Sequence, residues 1–237
     1  MTSRLLELQD LRFAWPGSHQ DCLSIDALHL APGESIFLHG PSGCGKSTLL
    51  SLMAGVLLPQ TGSIALLGQP WGALPASERD RYRVDHLGYI FQQFNLLSYL
   101  TALDNVLLPC QFSVRRRNAA IRHASSPRKA AEDLLQRMGL NPSVWMRPAH
   151  SLSVGQQQRV AAARALIGHP DLVIADEPTS ALDEDSREAF LDLLLSACAS
   201  AGTALVLVSH DRRIAERFSR QVSLPGINQA ARREVME

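Results

Sequence analysis

Residues 35–54 read Ser-Ile-Phe-Leu-His-Gly-Pro-Ser-Gly-Cys-Gly-Lys-Ser-Thr-Leu-Leu-Ser-Leu-Met-Ala, and this stretch decides the fold. Ser35 to Leu38 is a short apolar run that predicts a strand. Leu49, Leu50, Leu52, Met53 and Val56 fit one face of a following helix. Between them, Gly40-Pro41-Ser42-Gly43-Cys44-Gly45-Lys46-Ser47 has the GxxxxGK[ST] spacing, with Thr48 next. Glycines let successive N–H groups converge on a phosphate, and the helix N-terminus adds positive potential. Lys46 is expected to reach the β- and γ-phosphates and Ser47 to offer its hydroxyl to Mg²⁺. The plain alternative is a glycine-rich turn into a helix; the strand before and the helix after argue against it.

Outward from this loop, apolar runs recur at Ser63 to Leu67, Gly88 to Phe91, Asp171 to Ala175 and Thr203 to Val208. Several are continuously apolar, as expected of strands covered by helices on both faces. Phe190, Leu193, Leu194, Ala197 and Ala201 fit a helix face, with Gly202 as its stop. These patterns predict an α/β fold with a mostly parallel sheet. From about Thr101 to Gly168 only helical patterns occur. Ser126 is expected to cap a helix, with Pro127 at its first position and Gly139 at its end. The expected organisation is therefore one domain over 1–237. Residues 1–92 and 169–237 form the α/β core, and about 93–168 form an inserted helical subdomain.

Length and composition bound the function. A chain of 237 residues, 46% hydrophobic and 19% charged, can bury a sizeable core. Lys plus Arg and Asp plus Glu are 23 each, a balance that argues against a nucleic-acid coat. No apolar run approaches the roughly 18–20 residues that span a bilayer. The leucines of Met1 to Phe13 are interrupted by charges, unlike a secretory signal. Four scattered cysteines include no CxxC pair, which argues against a zinc site or a disulfide framework. A reduced, cytosolic protein is expected.

A second chemical signal is Leu172-Val173-Ile174-Ala175-Asp176-Glu177. An apolar strand that ends in two acids sets a carboxylate beside the phosphate loop. Asp176 is expected to hold Mg²⁺ and Glu177 to polarise an attacking water. Alone, such a pair is an ordinary loop start or helix cap; the loop at 40–47 changes the balance. No NKxD for guanine is present.

Three further segments settle the class. Leu152-Ser153-Val154-Gly155-Gln156-Gln157-Gln158-Arg159-Val160, followed by Asp176-Glu177-Pro178-Thr179-Ser180-Ala181-Leu182-Asp183, resembles the signature and D-loop of ABC-type ATPases. Tyr89-Ile90-Phe91-Gln92-Gln93 resembles the family's Q-loop, and Val208-Ser209-His210-Asp211 its switch histidine. The five motifs stand in the family's order over Gly40 to Asp211. The run Phe91 to Leu97, with Leu103-Asp104-Asn105-Val106, resembles in particular the lipoprotein-release, macrolide-export and cell-division group.

That resemblance implies a P-loop NTPase (RecA-like) core with an N-terminal antiparallel β-subdomain and the helical subdomain. It implies ATP and Mg²⁺ as cofactors, the ion being held by Ser47, Gln92 and Asp176. Catalysis falls to Glu177, with His210 and Gln92 sensing the γ-phosphate. Ser153, Gly155 and Gln156 contact nucleotide bound by a second copy of the chain. Trp15, 25 residues before Gly40, matches the family's adenine-stacking aromatic; Phe13 is the other candidate. The family carries glycine where this chain has Val154, and valine disfavours positive φ. That position is therefore expected to be extended, or the signature loop slightly reshaped.

The implied work is done with a membrane permease, on the cytoplasmic face of the inner membrane as a peripheral subunit. It is export, extraction or force transmission. The apolar run Phe94 to Leu103 is the expected docking surface, about half of it serving as core. The alternative is a soluble ABC ATPase acting on nucleic acid or ribosomes. Arg115-Arg116-Arg117, with Arg122, Arg128 and Lys129, is the basic stretch that such a reading requires; beside a bilayer the same stretch suits anionic headgroups.

Overall fold

Alternating leucines set the first sheet. The computed structural model describes residues 4–18 and 20–230. Strand β1 (Leu6–Phe13) pairs antiparallel with β2 (Leu23–Leu30), matching Leu6 to Leu30, Leu8 to Leu28, Leu11 to Ile25 and Phe13 to Leu23. The inward parity changes from even to odd residues along β1. A register shift between Gln9 and Arg12, with Asp10 at φ 48°, absorbs the extra residue and returns Leu11 and Phe13 to the core. On the other side of β1 runs β4 (Thr61–Leu66), edged by the two-residue β5 (Gln69–Pro70).

The chain divides into two compact units, one of residues 1–83 and 206–237 and one of residues 84–205. In the first, β3 (Ser35–His39) pairs in parallel with β9 (Arg220–Ser223) and is followed by α1 (Lys46–Met53). Leu49, Leu50, Leu52 and Met53 are buried. Val56 departs from the expected face: α1 has ended, Gly55 turns the chain at φ 65°, and Val56 is exposed. Helix α2 (Ala76–His86) buries no residue. Its Tyr82 hydroxyl donates to the Leu66 carbonyl, and Arg83 donates to the Ala54 and Gly55 carbonyls at the end of α1.

In the second unit β6 (Leu87–Ile90) pairs in parallel with β7 (Leu172–Asp176). Helices α3 (Ala102–Phe112), α4 (Val114–Ala124), α5 (Pro127–Arg137) and α6 (Val154–Leu166) lie between these strands in sequence, and α7 (Glu184–Ala201) follows them. Strand β8 (Ala204–Val208) follows α7 and is buried along its whole length. The short α8 (Leu224–Ile227) follows β9. Ser126 caps α5 by accepting from the Lys129 N–H, and Gly139, at φ 71°, turns the chain after it. Gly202 ends α7 at φ 64°. Phe190, Leu194 and Ala197 are buried on α7, while Leu193 and Ala201 are half-buried. Gly88 lets β6 approach α6 closely, since a Cβ there would stand 2.2 Å from the Ala165 carbonyl oxygen.

Three of the four α4 arginines are engaged by the fold, while Arg122 is exposed. Arg115 pairs with Asp171 at 2.9 Å. Arg116 is buried and donates to the carbonyls of Ala165, Ile167 and Leu87. Burial lowers its pKa to about 10, so it stays cationic at neutral pH. Arg117 donates to the Cys110 and Gln111 carbonyls. With Arg83 on α1 and Arg159 on Met138 and Gly139 after α5, four guanidinium groups close four helix C-termini. Carbonyls left without N–H partners and the negative end of the helix dipole both favour a cation there.

Candidate functional site

The first unit carries the phosphate-loop half of the candidate site. Between β3 and α1 the chain turns through Gly43 at φ 80° and Gly45 at φ 97°. Gly45 is required twice over, by its φ and because a Cβ there would lie 2.9 Å from Leu23 Cδ2. No side chain caps α1 and no acid occupies its first turn, so its positive end stays available to an anion. Lys46 is buried, its Nζ donating to the Gly40 and Pro41 carbonyls at 3.0 Å each. The ammonium thus stands at the centre of the loop. Pro41, Ser42, Gly43 and Ser47 are exposed, while Gly40, Cys44, Gly45 and Thr48 are half-buried. The Cys44 sulfur fills the space that a side chain on Gly40 would occupy, 2.7 Å from that Cβ position.

His210 belongs to the same half. A cavity of about 260 Å³ is lined by His39, Gly40, Pro41, Ser209, His210 and Arg212. His39 and Arg212 are additions to the residues marked in the sequence. The buried His39 Nδ1 has no hydrogen-bond partner, and burial followed by Arg212 holds the imidazole below its ordinary pKa. A histidine at the end of an apolar strand gave no signal of this.

Trp15 stands in a turn held by a bond from the Ser18 N–H to its carbonyl, and both backbone groups of Ala14 bond to the Gln60 amide. Its ring is 47% exposed and meets Phe13 edge-on at 5.3 Å. Phe13 is only 5% exposed, so Trp15 is the aromatic with a face to offer.

The second unit carries the other residues. Asp176 ends β7 and Glu177 follows at φ 45°, both half-buried. Burial, then the Asp176 charge, holds the Tyr89 hydroxyl well above the usual phenol range. Gln92 is exposed, two residues beyond β6. The chain after it adopts left-handed backbone at Phe94 and Asn95, whose carbonyls each accept from Arg164 at 2.6 Å.

Ser153 caps α6, accepting from the Gln156 N–H, while the Gln156 side chain accepts from the Ser153 N–H. Val154 is the first residue of α6 and is absent from the positive-φ positions, so valine is helical there rather than extended. The helix start accepts a β-branched residue because that side chain points to solvent, 48% exposed.

Phe94, Ala102 and Leu103 are buried, whereas Leu97 and Tyr99 are exposed. In the same unit a groove of about 240 Å³ is lined by residues that include Tyr89, Phe91, Leu108, Pro109, Phe112 and Arg164. Among the described residues no helix is long and apolar enough to cross a membrane.

Comparison with known proteins supplies a context for these two halves. Residues 23–180 match the ABC transporter family. An uncharacterized ABC transporter ATP-binding protein of Mycobacterium bovis is 41% identical over 92% of this chain, which spans 64% of that protein's length. The lipoprotein-releasing system ATP-binding protein LolD of Legionella pneumophila is 41% identical, over 83% of each chain. The dimeric structure of MJ0796, a bacterial ABC transporter cassette, superposes with a TM-score of 0.79 at 33% identity, covering 92% of this chain and 93% of that one. A further structure of MJ0796, a post-hydrolysis state bound to ADP and Pi, gives a TM-score of 0.78.

Proposed function

The chain belongs to the ABC transporter family, and from that premise we propose that it is the ATP-hydrolysing subunit of a membrane complex. Two copies close around two ATP molecules and drive a partner permease in export, extraction or force transmission across the membrane. The observation that carries this reading is the loop at 40–48: two glycines in left-handed backbone feed an uncapped helix around a buried lysine.

In this reading Lys46 leaves the Gly40 and Pro41 carbonyls for the β- and γ-phosphates, a charge-assisted exchange that favours the nucleotide. The loop N–H groups bind the remaining phosphate oxygens. Trp15 stacks on adenine. Asp176, the Ser47 hydroxyl and the Gln92 amide are hard oxygen donors suited to Mg²⁺, which supplies charge neutralisation of the phosphates when bound. Glu177 accepts a proton from the attacking water, and His210 hydrogen-bonds the γ-phosphate. Ser153, Gly155 and Gln156 face the nucleotide of the second copy, and residues of about 93–168 act as the helical arm behind Gln92.

The permease helix docks in the apolar groove beside Phe91 and Phe112, which places the subunit at the cytoplasmic membrane face. With Arg116 buried and Arg115 and Arg117 bonded to Asp171 and the end of α3, the basic stretch that a nucleic-acid reading draws on is reduced. A relative named for lipoprotein release supports extraction as one form of that work.

Steady-state hydrolysis and nucleotide affinity of purified protein test this. Glu177→Gln is expected to lower turnover by about 10²–10³-fold while ATP still binds and an ATP-dependent dimer accumulates. Lys46→Ala is expected to weaken binding itself by about 10–100-fold, as lost hydrogen bonds to a charged group do. Turnover near wild type in Glu177→Gln removes that residue from its role.

A further inference from the structure

Glu177 is held in a backbone conformation that its own chemistry resists. Its φ is 45°, a region where an L-residue's Cβ crowds the backbone, and proline at 178 further restricts the residue before it. Something outside the turn must hold it. The bond from the Ser180 N–H to the Glu177 carbonyl at 3.2 Å closes the turn but is local.

One long-range contact is made by Gln158. This side chain sits on α6, five residues after the cap Ser153, and is fully buried. Its Nε2 donates to the Pro178 carbonyl at 2.6 Å. Its Oε1 is buried with no partner. The amide orientation is fixed by chemistry, since an oxygen facing that carbonyl would set two acceptors together. A buried amide with one unsatisfied atom is a poor way to fill space; a methionine of similar shape would avoid the desolvation penalty.

We propose that Gln158 is a positioning residue for Glu177. By gripping the Pro178 carbonyl it keeps the preceding backbone left-handed and so aims the Glu177 carboxylate. The same bond ties that aim to α6, whose first turn carries Ser153 and Gly155. A shift of α6 on binding the second copy's nucleotide is thereby passed to the carboxylate. The inference rests on Glu177 being the group that activates water.

The test compares Gln158→Met with wild type in ATP turnover, nucleotide affinity and thermal stability. Turnover is expected to fall about 10²-fold, the scale of a catalytic group misplaced by about 1 Å, with ATP affinity and the ATP-dependent dimer retained. In a Glu177→Gln background, Gln158→Met is expected to add no further loss in single-turnover hydrolysis, because both changes act through one carboxylate. Should Gln158→Met not fold, Gln158→Asn, whose amide stops one methylene short, is expected to give the same split. Turnover within twofold of wild type in a folded variant, additive losses, or failure of both variants to fold would each overturn the proposal. If Glu177→Gln itself turns over normally, the fault lies with the Glu177 assignment instead.

Discussion

At the scale of single residues, the candidate site is built from side chains whose partners differ from those their motif suggests. Lys46 bonds two carbonyls of its own loop, so the proposed binding of phosphates by this lysine would be an exchange of partners and not the capture of a free cation. Cys44 packs its sulfur against Gly40, which makes it a filler of the loop as well as a member of it. Trp15 is the clearest case of a residue whose exposure needs a reason: a large aromatic face is left open while Phe13 beside it is buried. Stacking on adenine would supply that reason. Replacing Trp15 with Ala is expected to weaken ATP binding by about 2–10-fold, matching the roughly 0.5–1.5 kcal/mol of an aromatic pair. Protein stability should stay unchanged. Titration with a fluorescent ATP analogue, beside a melting curve, reads both.

At the scale of elements, arginine end-caps stand out. Arg116 alone joins α4 to the end of α6 and the start of β6 through three carbonyls. Gly168 packs against its backbone, where a Cβ would fall 2.5 Å from the Arg116 carbonyl oxygen. Arg116→Met would orphan those carbonyls in a buried place. It is expected to destabilise the protein by about 2–4 kcal/mol, read as a lowered denaturant midpoint at unchanged slope. Arg116→Lys should recover little, because an ammonium cannot match a planar fork of donors. Helix α2 is the opposite case. It buries nothing, so it has no apolar period for a sequence reading to find, and tertiary bonds from Tyr82 and Arg83 account for its place.

At the scale of the whole molecule, the exposed apolar groove needs an occupant. Phe112, which lines the groove, and Tyr99, on the apolar run before α3, are 73% and 74% exposed, and apolar surfaces of this kind take an amphipathic helix. Phe112→Asp and Tyr99→Asp are each expected to leave folding and the free subunit's hydrolysis within about twofold of wild type, as surface changes do. Both should abolish stimulation of hydrolysis by the membrane partner, tested with reconstituted complex. Loss of soluble protein, or unimpaired stimulation, would count against the groove.

The α/β class, the phosphate loop with its flanking strand and helix, the acid pair at the end of β7, and the helix ends at Ser126 and Gly202 were legible in the residues alone. Each of these is local: a strand end, a cap or a glycine turn is specified by neighbours within a few residues. Packing decided what Arg115, Arg116 and Arg117 meet, and it set Gln158 behind the left-handed Glu177. Arg116 meets Ile167 across 51 positions and Gln158 meets Pro178 across 20. A charge run carries no mark of whether it will meet solvent or a helix end, because that depends on which carbonyls packing leaves unpaired.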